Sequence, residues 1–197
     1  ILFIKMKVEI APYNPEWKTK FEEEKKILSE ILKELNPVIE HIGSTSVEGL
    51  GAKPVIDIQI GVTERSNLDK LVEPLIKNDY IYVKKYEDVL PDRRYFIKVA
   101  NPLNEKLPQK LLTYNDKLHR EKFPHLVHIH SVVINTLWWK RHIAFRDYLR
   151  SHTEDRDDYH KLKLRLAEND WQDVNYYADA KSEFVKSIEA KAGIYER

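Results

Sequence analysis

The part of this chain that most constrains its fold is a pair of apolar strands joined by a glycine-containing loop. The first predicted strand, Val38–Ile42, leads directly into the dipeptide Gly43-Ser44, and the second, Val55–Val62, carries Asp57. Glycine permits backbone angles and a close ligand approach that a side chain would block, and the N–H groups of such a turn can cradle phosphate oxygens. The pattern predicts a phosphate-binding turn near a carboxylate, and a plain tight turn is the alternative. We expect the turn to lie at the surface, so that Gly43→Val would block phosphate without unfolding the chain.

The second strand alternates between an apolar face and a face with two polar side chains. Successive strand residues point to opposite faces, so Asp57 and Gln59 emerge together, opposite the isoleucines and valine at positions 56, 58, 60 and 62. A carboxylate in such a strand is costly to bury unpaired. We therefore predict that Asp57 is catalytic and binds a divalent ion, Mg²⁺ or Mn²⁺. The alternative is a structural aspartate bonded to a neighbouring loop.

A third predicted strand, His125–Ile134, places two histidines on one face. His128 and His130 lie opposite Val127 and Ile129. Two imidazoles at this spacing can chelate a transition metal, contact phosphate or transfer protons. The alternative is a pair of hydrogen-bonded, half-buried histidines.

From this spacing we predict that Asp57, His128 and His130 converge on a shared ion or water, with His130 as a second catalytic residue. His41, which precedes the Gly-Ser turn, is a weaker candidate for the same cluster.

Three cations are candidate phosphate ligands. Lys53 precedes the second strand, and Arg93 and Arg94 stand where another predicted strand begins. Guanidinium groups suit bidentate phosphate contacts, and ordinary surface residues are the alternative. Arg146-Asp147 lies on a predicted helix, where we expect an ion pair that ties the helix to the sheet.

Composition limits the classes of partner. The chain has 197 residues, no cysteine and a formal net charge of +1, so disulfides and thiolate metal sites are excluded and no nucleic-acid partner is expected. No apolar run approaches the roughly 20 residues of a membrane-spanning helix, and a cytoplasmic location is expected. Residues 1–5 either precede a natural start at Met6 or form an extra turn of strand.

The periodicity predicts a single domain over residues 1–197. One helix is expected from Pro15 to Asn36 and another over Ser66–Asn78, and the last third of the chain is helical. Asn101–Pro124 is polar and contains three prolines, which predicts a loop or a partly helical insertion.

The loop region resembles a known motif, H-I-G-S-T-x-V-x-G-L-x-A-K-P-x-I-D, of the GrpB-like branch of the nucleotidyltransferase superfamily. The matching residues are His41, Ile42, Gly43, Ser44, Thr45, Val47, Gly49, Leu50, Ala52, Lys53, Pro54, Ile56 and Asp57. Further similar segments begin near Tyr13 and end near Val185. The resemblance implies an α/β (α+β) fold of the nucleotidyltransferase type, with a small mixed, twisted sheet, surrounding helices and a helical C-terminal part.

The same resemblance implies metal-dependent transfer of a nucleotidyl group from a nucleoside triphosphate to a small-molecule acceptor. Gly43 and Ser44 would hold the triphosphate, and Asp57 the metal. The wider superfamily has a second aspartate where this chain has Gln59. A related domain is fused to dephospho-CoA kinase in some bacteria. A non-catalytic nucleotide-binding or coenzyme A-related partner module is therefore the alternative.

Overall fold

The structure is a computed structural model that describes residues 7–116, 118–172 and 174–194. The two interpretations of residues 1–5 concern a segment outside the described residues. The helices are α1 (Glu16–Ile31), α2 (Ser66–Lys70), α3 (Val72–Lys77), α4 (Leu137–Ser151), α5 (Thr153–Ala167), α6 (Val174–Asp179) and α7 (Ser182–Lys191). The strands are β1 (Val38–Ile42), β2 (Ile56–Val62), β3 (Ile81–Tyr82), β4 (Arg94–Val99) and β5 (His125–Val133). Short 3₁₀ turns span Ser44–Ser46 and Lys84–Tyr86.

The strands form one mixed sheet in the order β1-β2-β5-β4-β3. The central neighbours β2 and β5 run parallel, and each of the other neighbouring pairs is antiparallel. Parallel strands need a long crossover connection, and here the crossover contains α2, α3, β3 and β4. The predicted α/β fold with a mixed sheet and surrounding helices is confirmed.

One face of the sheet forms the main hydrophobic core against α1, α2 and α3. The strands contribute alternate residues to it, as a period of two requires. These residues are Ile39, Ile56, Ile58, Ile60, Val62, Phe96, Val127 and Ile129. The helices contribute, among others, Trp17, Phe21, Leu28, Leu68 and Leu75.

The opposite face carries the polar residues of β2 and β5 and is joined to α4 by a buried arginine. Arg146 donates from Nη1 to Glu40 Oε2 of β1 at 2.6 Å and to the His41 carbonyl oxygen at 3.0 Å. Its Nε donates to Asp147 Oδ1 at 2.7 Å. The predicted ion pair between this helix and the sheet is confirmed.

The helix predicted over Ser66–Asn78 is interrupted. α2 ends at Lys70 and α3 begins at Val72, so Leu71 separates two short helices. Pro74 lies in the first turn of α3, where it has no N–H to donate and its ring would clash with the carbonyl of the residue four positions earlier, Lys70. The break therefore follows from the proline, and the prediction of one continuous helix was wrong.

The described residues of the segment 101–124 contain no helix or strand, which agrees with the first of its two predicted forms, a loop. It is nevertheless packed. Leu111 and Phe123 are buried in a second cluster with Ile81 and Val99 of the sheet edge. The Tyr82 N–H donates to the Gln109 carbonyl at 2.9 Å, so the segment covers the β3 edge of the sheet.

Among the described residues, none of the helices combines the length and the apolar character needed to cross a membrane.

Candidate functional site

The Gly-Ser turn and the strand carboxylate lie directly against each other. Gly43 has φ 70°, and a Cβ placed on it would lie 2.5 Å from Asp57 Oδ2. Glycine is therefore required for two reasons: side chains disfavour this backbone angle, and the Asp57 carboxylate leaves no room for a Cβ. The expectation that Gly43→Val would leave the fold intact was wrong, because a valine there would strain the backbone and collide with Asp57. Ser44 begins the following 3₁₀ turn, and its side chain is hydrogen-bonded to that of Tyr159.

Asp57 is the first member of a hydrogen-bonded chain that ends in a residue the sequence analysis missed. Its Oδ1 lies 3.3 Å from His128 Nδ1, and His128 Nε2 lies 2.9 Å from His125 Nδ1. Burial raises the pKa of Asp57, but the hydrogen bond from His128 and the charges around it outweigh burial, so the pKa is lowered and the carboxylate is ionised. About a third of the Asp57 side chain, 32%, is exposed, which leaves it accessible to a ligand.

The positions of the protons in this hydrogen-bonded series follow from the chemistry of the groups at its two ends. An ionised carboxylate only accepts hydrogen bonds, so His128 Nδ1 must donate to Asp57. In a neutral His128 ring, Nε2 is then an acceptor, and His125 Nδ1 must donate to it. Burial and Arg120 lower the pKa of His125 to about 3, so this ring is neutral at pH 7. Its Nε2 is then the acceptor at the end of this hydrogen-bonded chain, and it has no hydrogen-bond partner within the described residues.

His125 reaches this position through an irregularity in the sheet. In a regular strand, residues three apart point to opposite faces, so the sequence places His125 away from His128. The register of β5 shifts opposite Lys98/Val99, where Lys98 pairs with Val127 and Val99 pairs with His125. Bulges of this kind re-aim side chains next to functional sites. The alternation of apolar and polar residues in the sequence does not reveal where the bulge lies.

His130 lies on the same face but has different partners. Arg93 Nη1 is 3.4 Å from His130 Nδ1, and because arginine only donates, Nδ1 is the acceptor. Burial, together with the charge of Arg93, holds the pKa of His130 well below 6.5. The Tyr95 ring contacts both histidines, with centroids 5.7 Å from His128 and 4.9 Å from His130. The structure therefore places Asp57, His128 and His130 on one face, in two separately bonded groups.

Arg93 and Arg94 point to opposite faces of the sheet and differ in whether a carboxylate lies beside the guanidinium group. Arg94 is buried, donates from Nη2 to Asp69 Oδ1 at 2.7 Å, and lies on the face that packs against the α2–α3 region. Arg93 has no carboxylate partner within the described part of the chain, and its Nε is buried without a hydrogen bond. Its guanidinium lies 5.3 Å from the Tyr95 ring and 5.2 Å from the Trp138 ring. Arg93 joins the site, and Arg94 is not brought to it.

The structure also shows where His41 and Gln59 lie relative to this site. His41 lies on the apolar face, stacked on Phe21 at 4.6 Å and 3.0 Å from the Thr45 hydroxyl, so it does not join the other histidines. Gln59 is completely buried, and its Nε2 donates to the Trp139 carbonyl at 3.2 Å, which ties it to α4. Asp57 is thus left without a second acid beside it on this face of β2.

Lys53 approaches the site from the loop before β2. Its Nζ lies 4.5 Å from the centroid of the Tyr177 ring. Burial, the charge of Lys181 and that of Arg120 lower the pKa of Lys53 to about 8, against the opposing effect of Asp57. Lys53 is therefore a partly desolvated cation close to the carboxylate.

The donor set does not form a dedicated metal cage. Within residues 7–116, 118–172 and 174–194, no three His, Asp or Glu side chains are arranged to hold an ion. Both ring nitrogens of His128 are already engaged, and His130 faces Arg93. Asp57 fits a narrower role, as a single ligand to a Mg²⁺ ion that also binds substrate phosphates, since Mg²⁺ is commonly held by one or two carboxylates plus phosphates.

A cleft of about 700 Å³ lies beside the same loop but away from this carboxylate. It is bordered by His41, Ser46, Arg150 and Arg156, and not by Asp57. Arg150 and Arg156 donate there to the carbonyl oxygens of residues 46 and 48, so they hold the loop in place. We take the Asp57 face as the candidate functional site because its polar groups converge there.

Comparison with known proteins identifies the family. The family model described as GrpB protein matches residues 7–191. The UPF0157 protein YqkA of Bacillus subtilis is 34% identical over 191 residues, which are 97% of this chain and 49% of that protein. This chain thus spans about half the length of that relative. A dephospho-CoA kinase of Mycolicibacterium paratuberculosis is 25% identical over 94% of this chain and 46% of its own length.

A solved structure agrees with this assignment. The crystal structure of conserved protein GrpB from Enterococcus faecalis superposes with a TM-score of 0.71 at 33% identity, covering 93% of this chain and 96% of that one. The family model matches most of the chain, and the solved structure shares its fold at 33% identity. We conclude that the chain belongs to the GrpB family.

Proposed function

We propose that the protein binds a nucleoside triphosphate on the Asp57 face and transfers a nucleotidyl group to a small-molecule acceptor. The observation that carries this proposal is the contact between Gly43 and the Asp57 carboxylate. A phosphate cradled by the N–H groups of the turn would lie beside an ionised carboxylate. This proximity supports a shared role of the turn and the carboxylate at one phosphate group.

The charge of the surrounding side chains supports an anionic ligand. Arg93 has no acidic partner among the described residues, and Lys53 is partly desolvated. A buried or half-buried cation without a counter-ion is costly unless a ligand supplies the negative charge. The contrast with the adjacent Arg94, which has Asp69 as its partner, is the reason to assign phosphate contact to Arg93 and a structural role to Arg94.

A Mg²⁺ or Mn²⁺ ion at Asp57 would neutralise charge on the phosphates and on the leaving pyrophosphate. His128, held by Asp57, fixes the orientation of His125, whose Nε2 can accept a hydrogen bond from the acceptor hydroxyl. The low pKa of His125 suits it to orienting that hydroxyl and not to holding its proton, which would pass to water when the oxygen bonds to phosphorus and pyrophosphate leaves. His130 lies against Arg93 and fixes the position of the guanidinium.

A second candidate is a binding or partner module without turnover, connected with nucleotides or coenzyme A. Gln59 favours this candidate, because it stands where a second carboxylate would be needed and is sequestered against the Trp139 carbonyl. The likeness to a protein named dephospho-CoA kinase is the reason for including coenzyme A compounds among the ligands tested.

Thermal unfolding tests binding, and pyrophosphate release tests turnover. Wild type, Asp57→Asn and the exposed control Asp158→Asn are melted with Mg²⁺ or Mn²⁺ and each nucleoside triphosphate or coenzyme A. A ligand at a hundredfold excess over its Kd stabilises the native state by about 2.7 kcal/mol. We expect this shift in wild type and in Asp158→Asn, and its loss in Asp57→Asn, since an amide lacks the charge that holds a hard cation.

The outcomes separate the two candidates. A shift with pyrophosphate release in the presence of an acceptor supports the transferase. A shift without release under any condition supports the binding module. If no combination shifts the wild type, both candidates fail. Ser44→Ala is the probe of the turn, because it keeps the Gly43 backbone and removes only the hydroxyl.

A further inference from the structure

Two lysines from distant parts of the chain meet on one aromatic ring beside the site. Lys53 precedes β2, Tyr177 lies on α6, and Lys181 lies between α6 and α7. The Lys53 and Lys181 Nζ atoms are 4.5 Å and 4.4 Å from the centroid of the Tyr177 ring. Asp57 is close enough to affect the protonation of both lysines. The three side chains therefore border the Asp57 site on the side of the C-terminal helices.

The two ammonium groups lack conventional partners. Within the described residues, neither the Lys53 nor the Lys181 ammonium group makes a hydrogen bond or ion pair, and both side chains are only partly exposed. Burial is the main cause that lowers the pKa of each lysine to about 8, and the charge of Lys181 lowers that of Lys53 further. Two like charges held together in this way raise the free energy of the unliganded protein. A stacking role alone would not require two cations on one ring.

The hydroxyl of this shared ring also lacks a hydrogen-bond partner among the described residues. Tyr177 is 2% exposed, and its hydroxyl has no hydrogen-bond partner in the described part of the chain. A buried tyrosine O–H usually finds a partner. Burial raises the pKa of Tyr177 to about 12, so the group remains a donor at neutral pH. By contrast Lys163, which is near Lys181, donates to the Gly51 carbonyl oxygen and is satisfied.

We propose that Lys53, Lys181 and Tyr177 form a subsite that binds a phosphate group of the ligand. Ammonium groups bind phosphate as point charges, and a hydroxyl donor adds a directed contact. A phosphate would satisfy the free O–H and neutralise the two lysines at once. The inference deepens the proposed function, on which it rests for the assignment of the ligand as a phosphorylated compound.

Calorimetric titration with phosphate probes and no divalent ion tests the subsite apart from catalysis. Inorganic phosphate and tripolyphosphate are titrated, in the presence of a chelator, into wild type, Lys181→Met, Lys53→Met, Tyr177→Phe and Lys181→Arg. The control is Lys186→Met, which removes an exposed lysine of α7 that pairs with Glu183. Circular dichroism checks that each variant is folded.

We expect wild type to bind at least one probe and each lysine-to-methionine variant to lose about tenfold or more in affinity, as for the loss of one charged hydrogen bond. Tyr177→Phe should lose a few-fold. Lys181→Arg should recover most of the affinity, and Lys186→Met should match wild type. Binding of inorganic phosphate would identify the group as a monophosphate of the acceptor, and binding of tripolyphosphate alone would identify the nucleotide tail.

The subsite is overturned if neither probe binds wild type, or if a folded Lys181→Met or Lys53→Met keeps wild-type affinity. Failure of the proposed function is distinguishable from this. Asp57→Asn should retain or strengthen tripolyphosphate binding, because it removes a negative charge, while it abolishes the ion-dependent stabilisation by nucleotides.

Discussion

The two faces of the sheet are built from alternate residues of the same strands and have opposite properties. On one face, Ile58 and Ile60 are completely buried against α1 and its neighbours. On the other, Asp57 and Gln59 stand beside the histidines of β5. The apolar face is stabilised by excluding water, whereas every polar group on the other face costs free energy unless it is paired.

The polar face divides into paired and unpaired groups. His128 is hydrogen-bonded on both ring nitrogens, so its cost is offset inside the protein. Among the described residues, Arg93 on this face and Tyr177 on the adjacent α6 each keep a buried donor without a partner. The first kind of group has its hydrogen bonds within the protein, and the second kind is open to a hydrogen bond with a ligand.

The largest expected effect is on the apolar face. Ile58→Ala should lower the free energy of unfolding by about 2–5 kcal/mol, because it removes methyl groups from a closed core and leaves a cavity. Ile27→Ala, at a position that is 45% exposed, is the control and should change it by less than about 0.5 kcal/mol. Urea unfolding measures both. Equal losses would mean that the face against α1 is not the main core.

The next effect concerns His41, a polar residue buried on the apolar face. Burial, with smaller effects from Arg150 and Arg146, lowers the pKa of His41 to about 4, so the unfolded chain, with an ordinary histidine pKa near 6.5, takes up the proton first. Stability is therefore full above pH 6.5 and falls as pH drops toward 4, by about 3 kcal/mol from this residue.

His41→Gln should reduce this acid loss, and the exposed control His119→Gln should not. Unfolding in urea at a series of pH values between 7 and 4 gives the comparison. Part of the loss should remain in His41→Gln, because His125 and His130 also have lowered pKa values. An unchanged pH profile in His41→Gln would contradict the assignment.

Gln59→Asp tests whether the polar face can accept a second carboxylate. The aspartate would be buried and would face the Trp139 carbonyl, which is also an acceptor. We expect a loss of about 2 kcal/mol in unfolding free energy at pH 7, from the buried charge and the lost donor. Gln59→Leu, which loses only the hydrogen bond, should cost about 1 kcal/mol. Unimpaired stability of Gln59→Asp would show room for a second ligand.

The smallest effect distinguishes the two neighbouring arginines. Arg93→Met should keep the contacts with the aromatic rings and lower nucleotide affinity about tenfold, or about 1.4 kcal/mol, with little change in stability. Arg94→Met should do the reverse, because it breaks the pair with Asp69 and leaves the site untouched. Calorimetry and urea unfolding of both variants provide the test, and matching effects of the two variants would refute the assignment to opposite faces.

The sequence by itself determined the elements that depend on local pattern. The period of two in β2 and β5 placed Asp57 and His128 on a common face, and the structure pairs these residues in register. Glycine at position 43 predicted a special turn, and φ 70° there explains why glycine is needed. These features follow from backbone geometry and side-chain period, which neighbouring residues alone can set.

Only the tertiary structure decided which of those residues work together. The bulge of β5 turns His125 toward His128, and the helices packed on the apolar face provide the partners of Arg94 and His41, which are Asp69 and Phe21. The contact of Lys53 with Tyr177 joins residues more than a hundred positions apart. Such contacts depend on how sheet and helices pack, and on a bulge that one sequence does not reveal. Alternation along a strand gives the face, and packing gives the partner.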